Sequence, residues 1–258
     1  MLFSEMNLSD EVVRSVEHNG FTIPTEVQAS CIPAIMDGRD LVGRSKTGSG
    51  KTLAFGIPLI ERINPEVKGV QCLVICPTRE LAVQVADEMR KATEFKEGCK
   101  MTAVFGGADM GKQIDALKRA KIVVATPGRL MDHIARRTVR LENVKTVVLD
   151  EADEMLNMGF REDIEKILRF IPREHQTVMF SATMPPAIRR LTEDYMNTPL
   201  FVEIGDLNAT IDTIEQTYLK VQKDSKKTTL VQLFNTCKPQ SAIVFCNTKR
   251  MADEICRF

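Results

Sequence analysis

The chain has 258 residues, 43% of them hydrophobic, and its 35 basic residues balance its 35 acidic ones. This composition suits one large or two smaller globular domains, and the zero net charge excludes a global field that would draw the protein onto nucleic acid or a membrane. No apolar run approaches the roughly 18 residues of a membrane span, and the start of the chain lacks the basic and apolar regions of a signal peptide. The seven cysteines and three histidines are scattered, which favours reduced cysteines over a zinc site or a disulfide framework. We therefore expect a cytoplasmic protein with no membrane contact, in which any polyanion site is local.

Seven short apolar runs alternate with helical patterns along the first two hundred residues. Runs that are rich in Val and Ile and alternate little are typical of strands buried on both faces. Strand and helix alternation then predicts an α/β fold, a parallel sheet covered by helices, with its functional site at the carboxyl ends of the strands. The predicted strands lie at residues 40–43, 72–77, 101–105, 122–127, 146–150, 177–182 and 200–204.

A polar, turn-rich segment, GDLNATIDT at 205–213, follows the last of these strands. We take it as a domain boundary, which predicts a first domain at 1–205, a linker at 206–213 and the start of a second α/β domain at 214–258. In this last part the patterns predict a strand at 216–221, a helix at 226–234, a strand at 241–246 and a final helix without a stop signal.

The segment DLVGRSKTGSGKT reads as a strand, a glycine-rich turn and the start of a helix, which is the context of a phosphate-binding loop. Backbone N–H groups at the helix N-terminus would hold the β-phosphate, Lys51 would reach the β- and γ-phosphates, and the Thr52 hydroxyl would ligate Mg²⁺. Ser45 stands where the usual pattern has its first glycine. A glycine-rich turn with a merely solvated Lys51 is the alternative. The predicted nucleotide-binding residues of this loop are Thr47, Gly48, Ser49, Gly50, Lys51 and Thr52.

A cluster of acids, DEADE, begins just past the apolar strand at 146–150. In a phosphate-loop protein the strand-end acid holds Mg²⁺ and a neighbouring carboxylate orients and deprotonates the attacking water. We assign Asp150 to the metal and Glu151 to the water. An acidic first helix turn, favoured by the helix dipole, is the alternative and is the better interpretation for Glu154. Lys51, Asp150 and Glu151 together predict nucleotide hydrolysis.

At this point the sequence resembles the DEAD-box ATP-dependent RNA helicases. Phe3, then GFTIPTEVQ, SKTGSGKT, PTRELA, FGG, ATPGRL, VLDEADEMLNMGF and SATMP occur in the family's order across residues 1–205. The resemblance implies a P-loop NTPase domain of the RecA-like type, and VFCNTK at 244–249 resembles the first motif of the family's second RecA-like domain. The later motifs of that domain, including the one with the arginines that contact the γ-phosphate, are missing from this sequence. We therefore expect a complete first domain and a truncated second one.

By this resemblance, ATP and Mg²⁺ are the cofactors, Phe3 stacks on adenine and Gln28 reads the adenine edge. Thr25 and Gln28 also form a T-x-x-Q pattern, so Gln28 could instead close a helix N-terminus as a capping box. The family usually has Pro-Ile where this chain has Glu26 and Val27.

The remaining motifs suggest an RNA strand, single or in a short duplex, gripped by its phosphates without sequence preference. With few aromatic residues, base stacking along a groove is poorly supported. A tight turn explains the Gly106–Gly107 pair equally well when it is taken alone. The resemblance also implies a link between nucleotide state and RNA grip through Asp153, Ser181 and Thr183, although the two hydroxyls could be plain strand-end residues. The predicted RNA-binding residues are Pro77, Thr78, Arg79, Gly106, Gly107, Thr126, Gly128 and Arg129.

The expected activity is that of an ATP hydrolase and RNA helicase, with this chain alone nearly inactive. Two other function classes stay open. A DNA helicase or another translocase would share the phosphate loop and the acid pair, and a non-catalytic module would bind nucleotide and RNA or dock a partner without turnover. The sequence names neither the RNA target nor any protein partner.

Overall fold

The computed structural model describes residues 2–44, 48–204, 215, 217–222 and 225–257, and its backbone divides into two compact units, Met1–Leu207 and Asn208–Phe258. The predicted linker at 206–213 lies outside the described residues. Within the described residues, no helix is both long and apolar enough to cross a membrane.

The first unit is built on a seven-stranded sheet in which every paired strand is parallel to its neighbour. The spatial order is β3-β4-β2-β5-β6-β1-β7. All seven strands predicted from the apolar runs are present, so the α/β fold with a parallel sheet is confirmed. The strands are β1 (Leu41–Arg44), β2 (Cys72–Ile75), β3 (Met101–Val104), β4 (Ile122–Ala125), β5 (Thr146–Leu149), β6 (Gln176–Phe180) and β7 (Leu200–Glu203).

Helices cover both faces of this sheet. Successive strand residues point to opposite faces, so Val74 belongs to one buried cluster while Leu73 and Ile75 belong to the other. The five inner strands are therefore buried on both faces, which explains why they read as continuous apolar runs, while the edge strands β3 and β7 are partly exposed. A short 3-10 helix, Phe3–Glu5, precedes the helices α1 (Asp10–His18), α2 (Glu26–Met36), α3 (Lys51–Glu61), α4 (Arg79–Lys91), α5 (Met110–Leu117), α6 (Pro127–Ala135), α7 (Ala152–Asn157), α8 (Arg161–Arg169) and α9 (Pro186–Tyr195).

The strand order sorts the loops at the carboxyl edge of the sheet into two neighbouring groups. The loops after β3, β4 and β2 lie side by side and carry the residues predicted to bind RNA. The loops after β5, β6 and β1 follow in the same order and carry the acid pair, the strand-end hydroxyls and the glycine-rich turn. Because consecutive motifs in the chain come from strands that are not consecutive in the sheet, only the fold brings each group together.

The described part of the second unit contains two helices, α10 (Lys226–Cys237) and α11 (Lys249–Cys256), joined by an ion pair of 2.9 Å between Lys227 and Glu254. Both predicted helices are confirmed. The strand predicted at 241–246 is wrong, and the described part of 216–221 has no strand either. A strand needs a neighbour for its backbone hydrogen bonds, and in the described part of this unit the apolar side chains of Ile243 and Phe245 are 82% and 93% exposed.

Candidate functional site

The described part of the glycine-rich turn before α3, residues 48–50, contains two glycines with positive φ angles. Gly48 and Gly50 have φ angles of +77° and +91°, a region that residues with a side chain rarely adopt. A Cβ atom on Gly50 would lie 2.6 Å from Nε2 of Gln28, so the loop runs against α2 with no room for a side chain. Lys51 and Thr52 are the first two residues of α3, at the N-terminal end whose free N–H groups favour phosphate. The predicted contact of Thr47 lies outside the described residues.

A cavity of 460 Å³ opens beside this loop and brings the predicted catalytic residues together. Lys51, Thr52, Asp150 and Glu151 all line it, although the acid pair is a hundred residues away in the sequence. The sequence analysis did not predict that α4 forms a third wall of the cavity. Leu81, Gln84 and Glu88 line this wall, and their spacing of three and four residues, which places them on one helix face, was the available signal. The residues that line the cavity without having been predicted to bind nucleotide are Phe21, Ile23, Thr25, Leu53, Leu81, Gln84 and Glu88.

Asp150, directly after β5, has the chemistry of a cation ligand. Its side chain is 3% exposed, and its Oδ1 atom has no hydrogen-bond partner in the described part of the chain. Burial raises the pKa of Asp150 to about 6, an effect that Lys51 opposes and Glu151 strengthens. A buried carboxylate oxygen without a partner is costly, so this site favours a positive charge that would complete it.

Glu151 has a left-handed backbone, with φ and ψ both 52°. For a residue other than glycine, asparagine or aspartate this conformation costs about 1–2 kcal/mol, and such strain is concentrated at functional sites. The residue also begins α7 as its N-cap without a capping hydrogen bond from its side chain. The carboxylate is thus left to face the cavity.

The two residues predicted to bind adenine have different surroundings. Gln28 forms the capping box considered above: its Oε1 accepts from the Thr25 N–H at 2.9 Å, and its Nε2 donates to the Gly50 carbonyl at 3.1 Å. An amide has two donors and two lone pairs, so one of each remains, and Gln28 also lines the cavity. Phe3 is fully buried in the core and does not line the cavity. The aromatic residue that lines the cavity is Phe21.

At the other group of loops, two arginines converge on the segment between β3 and α5, which we call the 105–109 loop. The Arg79 guanidinium lies 5.1 Å from the centre of the Phe105 ring, and Nη1 of Arg129 donates to the Ala108 carbonyl at 3.1 Å. Gly107 has a φ of +82°, and a Cβ there would lie 3.3 Å from Nη1 of Arg79. The loop therefore contacts both predicted phosphate-binding cations.

The N-terminus of α6 is better suited to bind an anion than the N-terminus of α4. At the start of α6, Thr126 is an N-cap whose side chain makes no capping bond, and Gly128 is exposed, so hydroxyl and N–H groups are free to meet a phosphate. At the start of α4, the Thr78 hydroxyl already accepts from the Leu81 N–H at 3.2 Å. Pro77 is buried, which restricts it to shaping the loop.

A hydrogen-bonded link joins the loops after β5 and β6. Oδ2 of Asp153 accepts from both the Thr183 N–H, at 2.9 Å, and the Thr183 hydroxyl, at 2.8 Å. The Ser181 hydroxyl donates to the Thr183 carbonyl at 2.7 Å. Although burial acts to raise it, the hydrogen bonds from Thr183 lower the pKa of Asp153. The loop that carries the acid pair is thereby tied to the loop after β6.

Comparisons with known proteins agree with this geometry. The family model described as "DEAD/DEAH box helicase" matches residues 25–191. The DEAD-box ATP-dependent RNA helicase CshA of Bacillus subtilis is 50% identical over 254 residues, which cover 98% of this chain and 51% of that protein. The protein of the same name from Geobacillus kaustophilus is 48% identical, with 98% and 54% covered.

A solved structure, the crystal structure of a DEAD box protein from the hyperthermophile Methanococcus jannaschii, matches with a TM-score of 0.76 and 42% identity, over all of this chain and 69% of that one. The chain spans about half the length of the curated relatives that it matches. With the family model covering well over half of its residues, and with the phosphate loop and acid pair brought together in one cavity, the chain belongs to the DEAD/DEAH box helicase family.

Proposed function

We propose that this chain binds ATP and Mg²⁺ in the cavity beside the glycine-rich turn and binds the RNA backbone along the loops after β3, β4 and β2. In the whole protein, ATP hydrolysis would drive local unwinding of short RNA duplexes. The two curated relatives are named as ATP-dependent RNA helicases, which agrees with this proposal. We further propose a RecA-like domain at 1–205, a linker at 206–213 and the start of a second such domain at 214–258.

The observation that carries the proposal is the unpartnered Oδ1 atom of Asp150 in the same cavity as Lys51 and Thr52. Mg²⁺ prefers oxygen ligands and usually keeps several waters, so it is held by one or two protein groups and by phosphates. In the described part of the chain no cluster of three or more His, Cys, Asp or Glu residues could hold a metal. The donor set thus fits Mg²⁺ bound with a nucleotide better than a structural zinc or calcium ion. When bound, Mg²⁺ would neutralise charge on the phosphates.

The residues of the cavity divide the remaining chemistry. Lys51 supplies a cation for the β- and γ-phosphates, while the N–H groups at the start of α3 hold the β-phosphate. Thr52 and Asp150 would hold the metal. Glu151, held beside Asp150 by its strained backbone, would orient the attacking water and accept its proton. The remaining donor and lone pair of Gln28 would read the adenine edge, with Phe21 as the aromatic wall in place of Phe3.

RNA binding would rest on positive charge and free N–H groups, not on stacking. Arg79 and Arg129 contact one loop, 105–109, and the start of α6 offers the Thr126 hydroxyl and the Gly128 N–H beside them. These groups recognise phosphates and so carry no sequence information. An RNA strand bound along these groups would lie beside the loop after β5.

The contact between Asp153 and Thr183 would carry information from the nucleotide to the RNA. Asp153 lies three residues after Asp150, so a change around the metal reaches the loop after β6 through two hydrogen bonds. We expect this chain alone to turn over slowly, because the family's γ-phosphate arginines are missing from the sequence. The loss of such an arginine typically costs ~10³-fold or more in rate.

The test is ATP turnover, with and without a short RNA duplex, by this chain and by a chimera that continues it with the matching second half of the Bacillus subtilis relative. We expect RNA-stimulated turnover only in the chimera. Glu151→Gln in the chimera should abolish turnover and keep nucleotide binding, since only the proton acceptor is lost. A DNA duplex of the same sequence is the matched control, because the 2′-OH distinguishes the two.

If DNA stimulates ATP turnover as strongly as RNA does, the proposed substrate is nucleic acid in general and not RNA. Undiminished turnover in Glu151→Gln would remove Glu151 from the mechanism. A chimera that binds nucleotide and RNA without any turnover would favour a non-catalytic binding module. Robust duplex unwinding by the short chain would mean that a γ-phosphate cation lies within these 258 residues.

A further inference from the structure

A buried chain of hydrogen bonds runs beneath the 105–109 loop. Nε2 of Gln113, on α5, donates to the Phe105 carbonyl at 3.1 Å. Oε1 of the same side chain contacts Nε2 of His133, on α6, at 3.2 Å, and Nδ1 of His133 contacts the Thr138 hydroxyl at 2.7 Å. Gln113 is 6% exposed and His133 is fully buried. Neither residue lines the nucleotide cavity.

The donors and acceptors of this chain can be assigned in only one neutral arrangement. A carbonyl can only accept, so the group of Gln113 that faces Phe105 must be its NH₂ and the group that faces His133 must be its oxygen. An amide oxygen also only accepts, so Nε2 of His133 carries the proton. In the neutral ring Nδ1 then accepts the single proton of the Thr138 hydroxyl at 2.7 Å, in preference to the His133 carbonyl, which lies 3.2 Å from the same hydroxyl. Burial lowers the pKa of His133, helped by Arg129 and Arg136 and opposed by Asp132, in keeping with a neutral ring.

The 105–109 loop stands at the centre of the RNA surface that we propose. Arg79 reaches it from the loop after β2, and Arg129 reaches it from α6. Asp109 ends the loop as the N-cap of α5, where its carboxylate accepts from the Lys112 N–H at 2.8 Å. A shift of this loop would therefore displace both arginines from the positions at which they meet phosphates.

We propose that Gln113 and His133 are positioning residues that set the strength of RNA binding by fixing the 105–109 loop, and through it Arg79 and Arg129. The inference rests on the proposed RNA-binding function. Neither residue touches RNA. Gln113 fixes the start of the loop through the Phe105 carbonyl, and His133 fixes the amide of Gln113 in the one orientation that allows this bond.

Gln71 is a matched control within the same unit. It is also 6% exposed, and its amide also closes a loop: Oε1 accepts from the Asn64 N–H at 3.0 Å, and Nε2 donates to the Asn64 carbonyl at 2.7 Å. It lies just before β2, at the amino edge of the sheet, opposite the RNA-binding edge. Gln113→Leu and Gln71→Leu therefore remove equivalent buried amides and should lower stability similarly.

The experiment measures binding of a labelled single-stranded oligouridylate to wild type and to both variants, with Mg²⁺ and a non-hydrolysable ATP analogue, over a salt series. We expect Gln113→Leu to bind RNA about tenfold more weakly, the size of one lost charge-assisted contact. The slope of log K against log salt should also flatten by ~0.7, which corresponds to one phosphate contact with a single strand. Gln71→Leu should leave both quantities unchanged, and neither variant should alter affinity for the nucleotide.

Gln113→Glu is the second variant, for the case in which the leucine variant does not fold. Its carboxylate can still accept from His133 but cannot donate to the Phe105 carbonyl, so RNA binding should weaken as in Gln113→Leu. Equal RNA affinities for the Gln113 and Gln71 variants would overturn the positioning role. If the wild-type protein binds the ATP analogue but no RNA, the proposed RNA-binding function is refuted, and the positioning role with it.

Discussion

Glu151 combines a proposed proton acceptor with a strained backbone, and the strain makes a prediction that is independent of activity. Its φ and ψ of 52° cost a residue with a side chain about 1–2 kcal/mol, while glycine adopts them freely. Glycine also loses about 0.4–1 kcal/mol more than alanine through the entropy of the unfolded chain. We therefore expect Glu151→Gly to be more stable than Glu151→Ala by about 0.5–1 kcal/mol.

The stability difference between the glycine and alanine variants isolates the effect of the backbone conformation at residue 151. Both variants remove the same carboxylate, so the relief of repulsion on Asp150 is common to the pair and cancels. Glu154 supplies the control, since it is exposed and lies in the ordinary helical part of α7. There the order should reverse, with Glu154→Ala more stable than Glu154→Gly by about 0.5–1 kcal/mol.

The assay is urea unfolding at pH 7.5 followed by circular dichroism, with the midpoints of the four variants compared at a common slope. If alanine is the more stable residue at both positions, Glu151 does not have the left-handed backbone, and the strain assigned to this site is refuted. In the chimera, both Glu151 variants should also lack ATP turnover, because both remove the proposed proton acceptor.

Three further changes test other parts of the site. Thr183→Val removes a hydrogen bond to the Asp153 carboxylate, so we expect a loss of about 1–2 kcal/mol in urea unfolding at pH 7.5, which shrinks as the pH falls through that carboxylate's lowered pKa. Because the folded state lowers the pKa of His133, the stability of wild type relative to His133→Gln should fall as the pH drops below about 6.5, measured by thermal unfolding between pH 7.5 and 5. The raised pKa of Asp150 acts in the opposite direction, but equally in both proteins. Gly50→Ala places a Cβ 2.6 Å from Nε2 of Gln28, so nucleotide affinity should fall about tenfold or more by calorimetry.

Each of these changes has a control or a contradicting result. Thr183→Ser keeps the hydroxyl and should stay close to wild type. Parallel stability profiles of wild type and His133→Gln would mean that this ring titrates alike in the folded and unfolded chain. For Gly50 the control is Gly38→Ala, which has a similar φ of +79° but nothing within 4 Å of the added Cβ. Equal nucleotide affinities in Gly50→Ala and Gly38→Ala would contradict the close approach to Gln28.

Most of the first unit could be predicted from the sequence because its signals are local. A strand buried on both faces must be apolar at nearly every position, so the five inner strands β1, β2, β4, β5 and β6 were visible as apolar runs. The edge strands β3 and β7 are only partly buried, and the same kind of apolar run still predicted them. The glycine-rich turn was equally visible, since Gly48 and Gly50 need φ angles that glycine alone adopts easily. The same local reasoning failed at 241–246, where an apolar run predicted a strand but no neighbouring strand is present among the described residues to pair with it.

The sequence by itself determined which residues could do chemistry: a lysine and a threonine after a glycine-rich turn, two acids at a strand end, and loops rich in glycine, threonine and arginine. Only the tertiary structure decided which of them meet. The wall of the cavity from α4, the contact of Arg79 with Phe105 and the hydrogen bond between Gln113 and His133 all depend on the order of the strands in the sheet. Strand order is a property of long-range pairing and packing, and it leaves no local pattern in the residues themselves.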